Sequence, residues 1–142
     1  MTNGGAGDSA HEGVVGIAAA VSSGARSAVS VIEEHLAAAA ASQDSLNAFT
    51  MIDEEGALRR AADIDRRVAA GEPVGRLAGV PIGIKDLIDQ AGLPTTNGGN
   101  FSPVTPDATA PCVQRLEAAD AVVIGRTGLH EWAFGFSSEN HW

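Results

Sequence analysis

A lysine is the last residue of a short segment in which apolar residues alternate with others, and its position suggests a chemical role. Residues 80–85 predict a strand with Val80, Ile82 and Ile84 on one face and Lys85 on the other. The neighbouring glycine leaves room beside the lysine. Ligands of α/β proteins bind at the carboxyl ends of strands, where partial burial would favour the neutral amine that a general base needs. From spacing alone, a solvent-exposed lysine without a function is the more frequent case.

Other reactive side chains form weaker patterns. His130 and Glu131 have no second histidine at position 134, so the helical zinc signature fails. The glycines of residues 79–85 do not have the spacing of a phosphate-binding loop. Cys112 lies in the first turn of a predicted helix, where a thiolate would be favoured, although a buried, unreactive side chain is the more frequent role. We therefore predict no metal and no organic cofactor.

Composition limits the partners and the compartment. The chain has 142 residues, 18 acidic and 9 basic side chains and a net charge of -9, which would repel a phosphate backbone and argues against direct nucleic-acid binding. A single cysteine excludes an internal disulfide and favours the reducing cytoplasm. Residues 1–12 lack the pattern of a secretory signal, and no apolar run reaches the ~20 residues of a membrane span. We expect one domain, or part of a larger one.

The alanine-rich first half predicts helices. The first apolar stripe follows a capping Ser27, and the second follows a capping Asp53 and ends at Gly71 and Pro73. The residues expected to be buried are Ala28, Ile32, Leu36 and Ala40 in the first helix, and Ala57, Ala61, Ile64 and Val68 in the second. Between the helices, residues 48–52 form either a strand or an extended link.

The second half predicts an α/β arrangement. Turn-forming residues at 91–99 indicate a long loop. Asp107 or Thr109 is expected to cap a helix that extends to Ala119, and the uniformly apolar residues 121–124 form a buried strand. A strand, a helix and a strand in this order give a parallel pair.

Two blocks carry a family resemblance. Residues 77–86 read Leu-Ala-Gly-Val-Pro-Ile-Gly-Ile-Lys-Asp and continue into Ala-Gly-Leu-Pro-Thr-Thr at 91–96, whereas residues 121–135 read Ala-Val-Val-Ile-Gly-Arg-Thr-Gly-Leu-His-Glu-Trp-Ala-Phe-Gly. Both blocks, in this order, resemble the amidase-signature family. Nearly all of residues 14–142 is covered. The resemblance implies an α/β fold: an N-terminal helical region followed by the first strands of a mixed sheet flanked by helices.

The resemblance also implies an activity and its residues. Members hydrolyse a carboxamide to a carboxylate and ammonia through a Ser-cisSer-Lys mechanism, and Lys85 matches the catalytic lysine. Phe134 and Gly135 match a stretch that lines the acyl side of the substrate pocket. Ser137 and Ser138 lack the flanking glycines of the family serines and do not receive their roles. We therefore expect residues 1–13 to be a disordered N-terminus, and residues 14–142 to be the N-terminal part of one domain, truncated before the nucleophile segment and inactive alone.

Two alternatives remain open from the sequence. The chain could belong to the amidase subunit of a tRNA-dependent amidotransferase, or it could be a non-catalytic remnant. Gly128 and Arg126 replace an asparagine and a lysine that are frequent in the family, which affects the substrate assignment more than membership. The expected partner is a small-molecule amide, without direct nucleic-acid or membrane binding, and the full-length enzyme could form a homodimer.

Overall fold

The computed structural model describes residues 13–100 and 103–142. Its helices are α1 (Val14–Ser22), α2 (Ala28–Leu46), α3 (Glu54–Ala69) and α4 (Pro111–Ala118), and its strands are β1 (Phe49–Ile52), β2 (Pro81–Lys85) and β3 (Val122–Thr127). A short 3-10 helix covers Glu131–Ala133. The predicted disordered N-terminus lies outside the described residues except for Gly13, which is the N-cap of α1.

Helix α2 begins where its amide groups find acceptors. Ser27 accepts a hydrogen bond from Ser30 N at 2.9 Å, as predicted for the cap. Asp65 of α3 accepts from Ala28 N at 2.6 Å and from Val29 N at 3.1 Å. A side chain from another helix therefore satisfies two of the amide groups that a helix start leaves unpaired.

The apolar stripe of α2 is confirmed except at its end. Ala28, Ile32 and Leu36 are buried, but the next buried residue is Ala39, and Ala40 is exposed. A helix has 3.6 residues per turn, so a strict spacing of four drifts away from the buried face.

Helix α3 follows its predicted pattern closely. Asp53 accepts a hydrogen bond from Gly56 N at 3.1 Å and caps the helix. Ala57, Ala61 and Ile64 are buried, whereas Val68 is half-buried. The acidic first turn and the basic last turn complement the helix dipole.

The strands form one mixed sheet in the order β1-β3-β2. Strands β2 and β3 are parallel, as predicted, and β1 is antiparallel to β3. Strand β3 continues to Thr127, three residues beyond the predicted end. The apolar pattern ends at Ile124 because a glycine and an arginine follow, yet the backbone pairing continues. The predicted α/β fold class is therefore confirmed.

Two irregularities alter the faces of this sheet. The pairing of β2 with β3 skips Ile124, and the pairing of β1 with β3 skips Thr50. An extra residue in one strand reverses the alternation of the side chains that follow it. Arg126 therefore shares a face with Val123, and not with Ile124 as a strict period of two would require.

Apolar clusters lie on both faces of the sheet. The larger joins α1, α2 and α3 to Val80, Val122 and Ile124. The smaller joins Val113 of α4 to Ile84 and Val123. The prediction that Val80 and Ile84 share a face was therefore wrong, because Val80 precedes β2 and does not follow its alternation. Near the end of β2, Ile84 is therefore buried, whereas Gly83 and Lys85 are exposed.

The predicted side-chain cap of α4 was wrong. The N-cap is Ala110, which provides no side-chain hydrogen bond, and Pro111 occupies the first turn. The hydroxyl of Thr109 accepts instead from Ala91 N at 3.0 Å, which ties the loop after β2 to the start of α4. Cys112 is exposed, in contrast to the buried role that we considered more frequent.

Candidate active site

Lys85 is the last residue of β2, and its side chain is exposed and not partly buried as expected. Its carbonyl accepts from Leu87 N at 2.8 Å and from Ile88 N at 2.9 Å. Within residues 13–100 and 103–142, no hydrogen bond or ion pair involves its ammonium group. The backbone of Lys85 is therefore fixed, while its amine remains available to a further group.

The glycine next to the Lys85 side chain on its face of β2 is packed against a neighbouring strand. A Cβ atom on Gly83 would lie 2.8 Å from Thr127 Cγ2 and 3.5 Å from the ring of Phe49. A Cβ atom on Gly125, which pairs with Gly83, would lie 2.4 Å from Met51 O. These glycines thus allow close packing between strands, although Gly83 itself remains exposed to solvent beside Lys85.

The carboxylate of Asp86 is buried directly after Lys85 and accepts three hydrogen bonds. They come from Thr96 N at 3.2 Å, Thr96 Oγ1 at 2.6 Å and Thr50 Oγ1 at 3.0 Å. Arg126 Nε lies 3.3 Å from Asp86 Oδ1, and both side chains are 1% exposed. A fully buried ion pair therefore stands one residue from the candidate base.

Arg126 connects this pair to the loop after β2. Its Nη1 donates to Ile88 O at 2.7 Å, and its Nη2 donates to Thr95 Oγ1 at 2.5 Å. Thr95 in turn donates to Asp89 Oδ1 at 2.9 Å. The Nε atom has no aligned hydrogen-bond acceptor, so its contact with Asp86 is ionic. Buried charges need such partners because desolvation is costly.

The two predicted substrate-binding residues follow β3, so they come after the carboxyl end of a strand that is parallel to the one ending at Lys85. The loop after β2 contacts this segment, since Asn97 O accepts from Trp132 N at 2.8 Å. Phe134 is 90% exposed, and a Cβ atom on Gly135 would lie 2.2 Å from the ring of His130. Because β2 and β3 are parallel, their carboxyl ends lie at the same end of the sheet. A role of Phe134 and Gly135 in substrate binding stays a prediction.

Ser137 lies in this exposed segment. Its hydroxyl donates to Glu139 Oε2 at 3.0 Å and lies 3.5 Å from His130 Nδ1. A nucleophilic serine needs a base within hydrogen-bond distance that can accept its proton. The acceptor here is a carboxylate in solvent, and the absence of a nucleophile role for Ser137 stays a prediction.

A second charged network supports the segment before β2. Asp120, buried and with φ of 66°, accepts from Gly75 N at 2.6 Å and from Arg60 at 3.2 Å, and it also pairs with Arg67. Burial alone raises the pKa of Asp120, but the hydrogen bonds from Arg67 and Gly75 and the charges of Arg67 and Arg60 outweigh it, so the pKa lies below its ordinary value. The same contact with Asp120 raises the pKa of Arg67.

Neither a metal site nor a membrane span is visible in the described part of the chain. No three side chains of His, Cys, Asp or Glu there are grouped so that they could bind one ion. None of the helices in that part is long and apolar enough to cross a bilayer.

Comparison with known proteins places these features in a family. The family model described as Amidase matches residues 30–142. The chain belongs to the amidase-signature family. The A subunit of the glutamyl-tRNA(Gln) amidotransferase of Salinispora tropica is 44% identical over 124 residues, which are 87% of this chain and 25% of that protein. Its counterpart in Streptomyces coelicolor is 42% identical over 125 residues, with the same shares. The chain thus spans about a quarter of the length of the curated relatives that it matches.

Solved amidase-signature structures agree with the fold. The native peptide amidase of Stenotrophomonas maltophilia has a TM-score of 0.81 at 30% identity, over 88% of this chain and 26% of that one. A chain from a vestigial protein complex that reveals the evolutionary origins of an s-triazine catabolic enzyme has a TM-score of 0.85 at 41% identity, over 89% of this chain and 28% of that one. Amidase-signature members of this kind are amide hydrolases.

Sequence reasoning predicted a role for Lys85 but did not identify the buried charged network next to it. Arg126 was noted only as a departure from a family lysine, and Asp86 and the threonines at 50, 95 and 96 were not singled out. An arginine within a buried strand and an aspartate directly after a strand were the available signals. Burial of both could not be read from their spacing, because their partners are distant in the sequence.

Proposed function

We propose that this chain supplies the lysine base of an amidase that hydrolyses a carboxamide to a carboxylate and ammonia. The proposal rests on the position of Lys85. Its backbone is hydrogen-bonded at the end of β2, and its exposed amine has no partner among the described residues. Family membership supports the same role, since the lysine lies in the matched region. The substrate is a small or aryl/alkyl carboxamide, and the compartment is the cytoplasm.

The mechanism places Lys85 at the far end of a proton relay. Its neutral amine accepts a proton through a bridging serine in a cis peptide, and this activates a serine nucleophile for attack on the amide carbonyl. Backbone N–H groups of a glycine-rich segment then stabilise the oxyanion. Both serines come from outside the matched residues of this chain, so residues 1–142 alone are expected to be inactive. Phe134 and Gly135 contact the acyl group of the substrate.

A graft tests the role of Lys85. Residues 30–142 replace the corresponding segment of the Stenotrophomonas maltophilia peptide amidase, which is 30% identical, and hydrolysis of a peptide amide is measured. Lys85→Ala should lower kcat by about 10²–10⁴-fold, the contribution typical of a general base.

Arg59→Gln is the control, because it changes a charge in an exposed ion pair of α3 and should leave kcat unchanged. If Lys85→Ala retained the activity of the unaltered graft, the proposal would be wrong. The same graft in the Salinispora tropica amidotransferase relative, at 44% identity, provides a second host.

A second candidate is the amidase subunit of a tRNA-dependent amidotransferase. The names of the curated relatives favour it, since they are A subunits of glutamyl-tRNA(Gln) amidotransferases at 42–44% identity. Purified remaining subunits of the Salinispora tropica enzyme can be mixed with this chain and analysed by sedimentation velocity. A defined complex supports the amidotransferase function, whereas its absence favours an amidase that acts without these subunits.

The third possibility, a non-catalytic remnant, is tested with the chain alone. Ammonia release from a panel of carboxamides is measured for the wild type and for Lys85→Ala. Turnover that Lys85→Ala abolishes would contradict the remnant. Absence of turnover is expected both for a remnant and for a chain that needs the two serines from outside it. The graft supplies those serines, so activity of the graft would then exclude the remnant.

A further inference from the structure

The residues around Asp86 join three parts of the fold at the end of β2. Thr50 comes from β1, Arg126 comes from β3, and Thr96 comes from the loop after β2. All three contact the carboxylate that follows Lys85 directly in the chain. The end of β2 is therefore held from several sides by one buried group.

The two irregularities of the sheet serve this arrangement. Without the extra residue Ile124 in β3, the alternation would place Arg126 on the opposite face. Thr50 is itself the residue that the pairing of β1 with β3 skips, and its hydroxyl is directed at Asp86 Oδ2 at 3.0 Å. Bulges commonly redirect side chains beside active sites.

The backbone on both sides of Lys85 is also fixed. Lys85 pairs with Thr127 in the sheet, and Asp86 N donates to Thr127 O at 3.0 Å. Asp86 O accepts from Asn97 N at 2.9 Å. The Cα–Cβ direction of Lys85 thus depends on the position of Asp86, although the lysine side chain itself contacts none of the charged groups.

We propose that the buried Asp86–Arg126 ion pair, with Thr50, Thr95 and Thr96, positions Lys85 for proton transfer. Asp86 and Arg126 are positioning residues that act through the backbone of Lys85. A misplacement of about 1 Å at a reacting group can cost about 100-fold in rate, so rigid support of a long lysine side chain has catalytic value. The inference rests on the proposed function, because it assigns a purpose to the position of Lys85.

The sequence provides a selective probe of this position. Lys85 is the only lysine in the chain. Expression with isotopically labelled lysine therefore gives one backbone amide resonance and one set of side-chain resonances, all from Lys85. These resonances report its local geometry and mobility in the whole 142-residue chain without any activity assay.

The test compares Asp86→Asn with a core variant that lowers stability elsewhere. Val21→Ala removes buried methyl groups from α1 and should lower the denaturation midpoint while leaving the Lys85 resonances in place. Asp86→Asn leaves Arg126 without its charge partner and should broaden or split the Lys85 side-chain resonances, which a change in the identity of the next residue does not by itself cause. If Asp86→Asn does not fold, Thr96→Val replaces it, because this change keeps the ion pair and removes the hydroxyl that donates to Asp86 at 2.6 Å and accepts from Gly98 N at 3.1 Å.

Unchanged Lys85 side-chain resonances in the folded Asp86→Asn or Thr96→Val variant, beside a lowered denaturation midpoint, would overturn the inference and leave the ion pair with a structural role only. That outcome would not affect the proposed function. Conversely, full activity of the Lys85→Ala graft would overturn the proposed function, whereas the resonances would still show whether Asp86 fixes this strand end.

Discussion

At the scale of single residues, buried charge is concentrated next to exposed chemistry. Lys85 has its amine in solvent, whereas the neighbouring Asp86 is 1% exposed and paired with Arg126. Such a pair contributes little net stability compared with apolar residues of the same size, but removal of one partner typically costs about 3–5 kcal/mol. The candidate site therefore consists of one free side chain and a rigid buried support, and Asp120 supports the preceding segment in a similar way.

The charge of Asp120 makes stability depend on pH. Its pKa lies below the ordinary value of 3.8 in the folded state, so folding is favoured while Asp120 is ionised. This contribution is fully present above pH 3.8 and is lost as the pH falls through the lower folded-state value. Asp120→Asn should therefore lower the urea midpoint at neutral pH, and the difference from wild type should shrink in acid.

Urea unfolding of both chains from pH 7 downwards provides the measurement. Circular dichroism of each chain at every pH shows whether it is still folded before urea is added. A difference between the two midpoints that remains constant down to the acid limit would contradict the role of the Asp120 charge.

At the scale of elements, the helices begin and end where the sequence provides partners, but not always local ones. Ser27 and Asp53 cap their own helices as predicted. Asp65 adds a cap to α2 from within α3, which no local pattern predicts. Packing of α2 against α3 and orientation of the α2 start are therefore coupled through one carboxylate.

Asp65→Ala should destabilise the chain by about 1 kcal/mol or more, since loss of a capping side chain costs about 0.5–2 kcal/mol and this one serves two amide groups. Thermal or urea unfolding measures the change. Ser27→Ala, which removes the contact with a single amide group, is the matched comparison and should cost less. Equal effects of the two changes would argue against the interhelical cap.

At the scale of the whole molecule, the described sheet has three strands with β1 and β2 at its edges. Unpaired edges and exposed apolar side chains favour association. Phe134 and Phe136 are 90% and 109% exposed, and they lie in the segment after β3. The chain covers only a quarter of the length of its curated relatives. The rest of such a protein could cover the surface formed by Phe134 and Phe136.

Replacement of Phe134 and Phe136 by serine should reduce self-association of the 142-residue chain, because it removes apolar area without changing any buried contact. Sedimentation velocity over a range of concentrations measures the effect. Replacement of Val14, an exposed residue of α1, by serine is the control for apolar area far from this segment in the sequence. If the control reduced self-association as much as the double change does, self-association would not depend specifically on the segment after β3.

The sequence by itself determined the helices, the strand that ends at Lys85, the parallel pair and the family, because these depend on local periodicity, capping and contiguous motifs. Tertiary structure alone decided that Lys85 is exposed, that Gly83 packs closely against Thr127, and that Asp86 and Arg126 are buried together. The physical reason is that burial and pairing depend on segments far apart in the chain, such as Thr50 and Arg126, which are 76 residues apart. The extra residues Thr50 and Ile124 in the strand pairing then set the directions of the Thr50 and Arg126 side chains. No periodic pattern in the sequence predicts the positions of these two irregularities.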